Sequence, residues 1–168
     1  MPESILAITS IVSETIAANL ITRPANTTPY SIGDALADAT GDLHYTFLEV
    51  VGDRGRTGEI LSAQMVISGT VAVGPDIDVL LFNQAVGVDA DNAANTLTNA
   101  ELLTCVGVIN FPTGGWVTTA TDQINIVQNI ALPFTGQTLY GFPVLKNAYV
   151  PESGETFHCS VRIRRDRD

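Results

Sequence analysis

Two histidines, two cysteines, eighteen acids and eight bases are the residues of this 168-residue chain that could carry acid–base, nucleophilic or metal chemistry. His44 and His158 stand in no H-x-x-x-H spacing and have no flanking cysteine pair, so the sequence offers no zinc signature. Cys105 and Cys159 lie far apart, each among alternating apolar residues, the setting of buried free thiols rather than of an activated nucleophile. No G-x-S-x-G elbow occurs, and the single lysine, Lys146, follows no phosphate-binding glycine loop. Asp89-Ala90-Asp91-Asn92 starts like a calcium loop, but Ala93 and Ala94 stand where a later ligand and the obligatory glycine belong, and Glu101 is one residue past the final ligand. A looser calcium site is the sharper reading of these residues, and a turn leading into a helix start is the simpler one. Asp76 and Asp78 share one side of a strand, a spacing that could pair carboxylates for glycoside hydrolysis, yet separate solvated acids at a strand start explain them more simply. Trp116 after Gly114-Gly115, with Phe111 and Tyr140 elsewhere, would form either a sugar platform or, by default, core or interface packing. The sequence therefore assigns no catalytic residue, no cofactor and no metal ligand, and the expectation is a protein that is not an enzyme.

The elements that must position these residues are strands. Val, Ile and Thr supply 16, 14 and 19 residues, together 49 of 168, and β-branched side chains suit a pleated surface better than a helix. Hydrophobic residues make up 45% and charged residues 15%, which excludes a disordered chain or a solvated coil and leaves a compact, weakly charged globule. The length fits one domain, or one domain plus an arm. Net charge is -10, and no base occurs between Arg56 and Lys146 while that stretch carries seven acids, the reverse of a nucleic-acid groove. Arg162, Arg164, Arg165 and Arg167 crowd the end, a basic tail that either is simply solvated or docks onto an acidic neighbour. Met1-Pro2-Glu3-Ser4-Ile5 has no basic leader region, and no apolar run approaches the roughly 20 residues of a membrane span. The expectation is a soluble protein made in the cytoplasm, with neither nucleic acid nor membrane as partner.

Residues 1–20 read as a strand or extended arm and 21–168 as a single β-sandwich domain. Tyr45, Phe47, Leu48, Val50 and Val51 form a strand before a glycine-rich loop. Residues 59–68 alternate, with Leu61, Ala63, Met65 and Ile67 on one face and Ser62, Gln64 and Ser68 on the other. Residues 77–82 are nearly all apolar, as in a central strand covered on both sides. Thr98-Asn99-Ala100-Glu101 matches a capping box and predicts one or two helical turns. Strands follow at 103–111, 116–119, 122–132 and 138–145, with Pro133-Phe134-Thr135-Gly136 as a turn. In the last strand Phe157, Cys159, Val161 and Ile163 point inward and His158, Ser160, Arg162 and Arg164 outward. The fold class is all-β: a jelly roll or related two-sheet β-sandwich with one short helix in a mid-chain loop.

The run Ile21-Thr22-Arg23-Pro24-Ala25-Asn26-Thr27-Thr28-Pro29-Tyr30-Ser31-Ile32-Gly33-Asp34 resembles the "TRPA-x-TT-x-Y-x-x-GD" opening of small tailed-bacteriophage structural proteins. The likeness continues through Ile77 to Asn83, Asp91 to Ala94 with Thr98 to Glu101, and Leu132-Pro133-Phe134 to Tyr140-Gly141, covering about residues 20 to 165. The resemblance implies a capsid decoration, or cement, protein of the virion, synthesised in the host cytoplasm and seated on the outer capsid surface at junctions of the major capsid protein. For such a role the expectation is a homo-oligomer, with copies clustered over those junctions, for example as trimers. The contact candidates are Ile5, Ile8, Ile11 and Ile16 of the N-terminal segment and Arg162, Arg164, Arg165 and Arg167 of the tail. The alternative is a tail or fibre module that binds a host-surface glycan through loop aromatics converging with Asp89 and Asp91.

Overall fold

Ten strands form among the described residues: β1 (Val12–Ala17), β2 (Ile21–Thr22), β3 (Tyr45–Phe47), β4 (Thr57–Ser68), β5 (Ile77–Phe82), β6 (Cys105–Phe111), β7 (Trp116–Thr118), β8 (Asp122–Thr135), β9 (Leu139–Leu145) and β10 (Thr156–Arg165). The computed structural model describes residues 12–40, 44–48, 50, 57–69 and 73–165. One sheet runs β1-β10-β4-β8-β7 with β2 also on β10, and the other runs β3-β9-β5-β6. Setting aside β2 and β7, the strands pair first with last: β1 with β10, β3 with β9, β4 with β8 and β5 with β6, all antiparallel. That is one long hairpin rolled upon itself, and the further pairs β10·β4 and β9·β5 close it into two sheets, the wiring of a jelly roll.

The core lies between the sheets, where alternate residues of facing strands meet. Phe157, Cys159, Val161 and Ile163 of β10 are buried as their alternation requires, against Ala63, Met65 and Ile67 of β4 and Val79 and Leu81 of β5. In β4 the alternation fails at one residue. Both ladders skip Leu61, since Ile60 pairs with Leu132 and Ser62 with Gln128, so Leu61 is a bulge and Ile60 takes the inward place assigned to it from the two-residue period. Opposite it, β8 loops out residues 129–131, where Asn129 and Ala131 adopt the left-handed φ of 56° and 52°.

The expected turn at Pro133-Phe134-Thr135 is instead strand, because β8 continues in pairing with β4 to Thr135. Beyond Asn125 the other edge of β8 has no strand partner among the described residues, and a proline is tolerated on such an edge. The strand read at 45–51 is described as paired only over Tyr45–Phe47. The capping box forms: Thr98 caps α1 (Asn99–Leu102), and Glu101 reaches back to the Thr98 N–H.

The two sheets differ on their outer faces. A second cluster, Ala35, Phe82, Val86 and Phe142 with Leu80, Leu97 and Tyr140, covers the outside of the four-stranded sheet beneath residues 33–37 and 83–98. Among the described residues nothing comparable covers the six-stranded sheet, and they leave its outer face open.

Candidate functional site

The segment from Ile21 to Asp34 is built around an arginine that the sequence reading passed over. Arg23 is 1% exposed, which is tolerable for a guanidinium only with charge and hydrogen-bond partners. Its Nη2 meets Asp91 Oδ2 at 3.2 Å, its Nε donates to the Tyr30 hydroxyl, and its Nη1 reaches the Glu152 carbonyl at 3.5 Å. The Tyr30 hydroxyl donates to Asp91 Oδ1 at 2.5 Å, and that same oxygen accepts the Ala37 N–H at 3.2 Å. The Tyr30 and Tyr149 rings stack with centroids 6.3 Å apart, and the Tyr149 hydroxyl donates to Glu155 Oε1 at 2.7 Å. Burial, with the Asp91 carboxylate beside it, holds the Tyr30 phenol well above its ordinary pKa. Burial pushes the Glu155 carboxyl up to about 7, against the opposing pull of the Tyr149 hydrogen bond and the Arg23 charge, and its Oε2 has no hydrogen-bond partner.

The rest of the motif sets the path into this knot. Asn26 accepts the Thr28 N–H, Asp34 accepts the Ser31 N–H at 2.6 Å, and Gly33 turns the chain at a φ of 90° that only glycine adopts without strain. The Arg23 N–H donates to the Glu155 carbonyl and the Tyr30 N–H to the Tyr149 carbonyl, which ties the segment to the entry of β10. Arg23, Tyr30, Tyr149 and Glu155 carry no local sign of their partnership. The one signal is an isolated base inside a turn-rich, apolar stretch.

The other candidate residues are engaged separately. Asp91 is spent in the knot, and Asp89 accepts from the Thr96 N–H and hydroxyl at 2.8 and 2.5 Å, so the two acids do not converge on a loop ligand. Asp76 and Asp78 are not separate solvated acids, for Asn110 Nδ2 bridges them at 2.7 and 2.9 Å and Lys146 stands 3.6 Å from Asp78. Trp116 donates from Nε1 to the Pro75 carbonyl at 2.7 Å and lies so close over Gly74 that a Cβ there would meet its ring at 2.3 Å. Cys159 is a buried free thiol held above its ordinary pKa by burial, and Cys105 is free and half-buried. His44 is pushed below its ordinary value by burial, and His158 is exposed on the outer face of the six-stranded sheet. Among the described residues no three His, Cys, Asp or Glu side chains come together to hold a metal, and no helix is long and apolar enough to cross a membrane.

Of the expected contact residues, Ile5, Ile8, Ile11 and Arg167 lie outside the described residues. Ile16 is half-buried in β1 and packs against the protein's own core. Arg162, Arg164 and Arg165 fall on β10 rather than in a loose tail. Arg164 pairs with Glu59 and Arg165 with Glu14, each across one strand boundary, while Arg162 donates from Nε to the Ser13 hydroxyl at 2.6 Å.

The register then lays out the open face of the six-stranded sheet. One row reads Ile126, Gln64, Ser160, Ala17, the next Gln128, Ser62, Arg162, Thr15, and they surround a shallow hollow of about 290 Å³. Ile126 and Val117 of the same face are 52% and 64% exposed. In a chain of net charge -10, these two rows contain no carboxylate and one guanidinium. No protein-family model matches the sequence, and comparison with curated proteins finds no significant match.

Proposed function

We propose that the protein is a non-enzymatic decoration protein of a bacteriophage head, binding the outer surface at junctions of major capsid subunits and stabilising the shell. The observation that carries this reading is the centre of the outer face of the six-stranded sheet, where two adjacent rows hold Arg162 and no carboxylate on an otherwise strongly acidic protein, between Asp122 on one side and the Glu59–Arg164 pair on the other. Interface centres are depleted in charge and rich in hydrogen-bonding and apolar groups, and these two rows have that composition. The resemblance of residues 21–34 to small phage structural proteins supplies the kind of partner. The knot around Arg23 supports a structural role for that motif, because its buried polar side chains pair chiefly with one another. Repeated copies, joined as a homo-oligomer, would sum modest contacts into shell stability.

The test mixes purified protein with capsids lacking it and measures bound copies and the temperature of DNA release. Saturable binding in a multiple of the capsid's symmetry, with release displaced to higher temperature, is the expected result. Absence of binding, with recognition of a host-surface glycan instead, would transfer the protein to the tail or fibre reading. A truncation that probes the N-terminal segment must end at Ile11, since β1 pairs with β10 from Val12 onward and Ala18 is buried in the core.

A further inference from the structure

We infer that the open face of the six-stranded sheet docks a protein surface that sets an aspartate or glutamate carboxylate against Arg162. The inference rests on the decoration reading, in which that carboxylate belongs to the major capsid protein, and it names the face and the group that make the contact.

The argument starts from charge. Among the described residues the bases other than histidine are Arg23, Lys146, Arg162, Arg164 and Arg165. Arg23 has Asp91, Lys146 has Asp78, Arg164 has Glu59 and Arg165 has Glu14. Arg162 alone has no carboxylate partner among them, although its neighbours two and three positions on are neutralised within the chain and the protein carries ten excess negative charges. The Ser13 hydroxyl holds its Nε at 2.6 Å, so one edge of the guanidinium is fixed and the terminal nitrogens keep their donors for a second group. A planar fork fixed in advance loses less freedom on binding a carboxylate than a mobile side chain does.

The surroundings agree with a carboxylate presented by a protein. Thr15, Ser62, Gln64, Gln128 and Ser160 line the hollow beside Arg162 with neutral donors and acceptors. The bulge at Leu61 lies against this place, where the ladder of β4 is interrupted on both sides, and such bulges re-aim neighbouring side chains. The two rows carry no aromatic ring on which a sugar would stack, exposed Ile126 is part of the hollow's lining, and exposed Val117 lies on the same face beside it. An arginine beside neutral hydrogen-bonding and apolar side chains, with the neighbouring Arg164 already neutralised by Glu59, is the composition of an interface centre.

The experiment is equilibrium binding of the full chain to purified capsids that lack it, for wild type, Arg162→Gln, Ser62→Glu and Arg164→Gln, with thermal melts to verify folding. Ser62 stands directly opposite Arg162, so Ser62→Glu supplies a carboxylate in the chain itself, as Glu59 does for Arg164. Arg162→Gln and Ser62→Glu are expected to weaken binding by about 30-fold or more, the range of an interface hot spot, while Arg164→Gln stays within about threefold. Wild-type binding that both variants match would overturn the docking face and leave the decoration reading standing. Wild-type protein that does not bind capsids would overturn both. Binding of a glycan through Arg162, without capsid binding, would overturn the protein partner.

Discussion

Replacing Asp91 by asparagine tests whether the buried knot holds the fold. The change keeps the volume, leaves one carbonyl acceptor for Tyr30, and removes the charge facing the fully buried Arg23 side chain. Removing one partner of a buried pair typically costs about 3–5 kcal/mol, because the remaining charge stays buried. Glu155 lies close enough for its charge to couple to Arg23, but its Oε1 is engaged by Tyr149, so it compensates in part and the lower figure is expected. For a protein of this size roughly 3 kcal/mol lowers the melting temperature by about 6–12 °C, a large fraction of a total stability of about 5–15 kcal/mol. Urea and thermal unfolding of Asp91→Asn, Arg23→Met and the double variant give the cycle. The double variant should recover at least about 1 kcal/mol of the summed losses, since it leaves neither charge stranded. A loss below about 1 kcal/mol for Asp91→Asn, or strict additivity, would refute the knot as a unit.

Glu155 gives a pH signature: its folded pKa of about 7 lies above the ordinary 4.5, so the native state binds the extra proton, and stability should fall between about pH 4.5 and 7 by roughly 2–3 kcal/mol. Glu155→Gln should flatten that window in urea titrations, and an unchanged slope would disprove the assignment. Asp38, held below its ordinary value chiefly by the Thr40 N–H, acts in the opposite sense, stabilising above about pH 4 and losing that contribution as pH falls through its lowered pKa. Gly74→Ala should cost roughly 1–3 kcal/mol by driving a methyl into the Trp116 ring, and the single tryptophan reports it directly as a change in native fluorescence. In thiol titration Cys105 should react with the folded protein and Cys159 only on unfolding, and equal rates would contradict the burial of β10.

Local pattern carried the strands whose two faces differ. The alternation of β10 and the capping box at Thr98 were both legible, because each depends on neighbours within a few residues. Leu61 was not, since a bulge is fixed by the partner strands: β8 sets three residues, 129–131, against that one. Pro133 read as a turn because a proline in a central strand would lose a ladder bond, and only strand order reveals that, among the described residues, β8 has no second strand partner there. Arg23 was the largest omission. Its partners Asp91 and Glu152 lie 68 and 129 positions away, and no periodicity in either segment announces a pairing over such distances. The two carboxylate-free rows were hidden for the same reason, being assembled from four strands spread from Thr15 to Arg162.

The buried arginine and the unneutralised one are linked through register. Side chains on a strand alternate faces, so a slip of one residue in β10 would turn Arg162 into the core and Val161 out to solvent. The knot acts where that register begins: the Arg23 N–H holds the Glu155 carbonyl at 3.0 Å, and Thr22 and Ile21 pair with Thr156 and Phe157 immediately after it. Seven residues beyond Glu155, Arg162 therefore emerges on the open face opposite Ser62, with its Nε reaching Ser13. A variant that weakens the knot without unfolding the sandwich should thus reduce capsid binding while its own residues remain far from the contact. Asp91→Asn at a temperature well below its melting point is that variant, and capsid affinity equal to wild type would separate the knot from function and leave it a purely stabilising device.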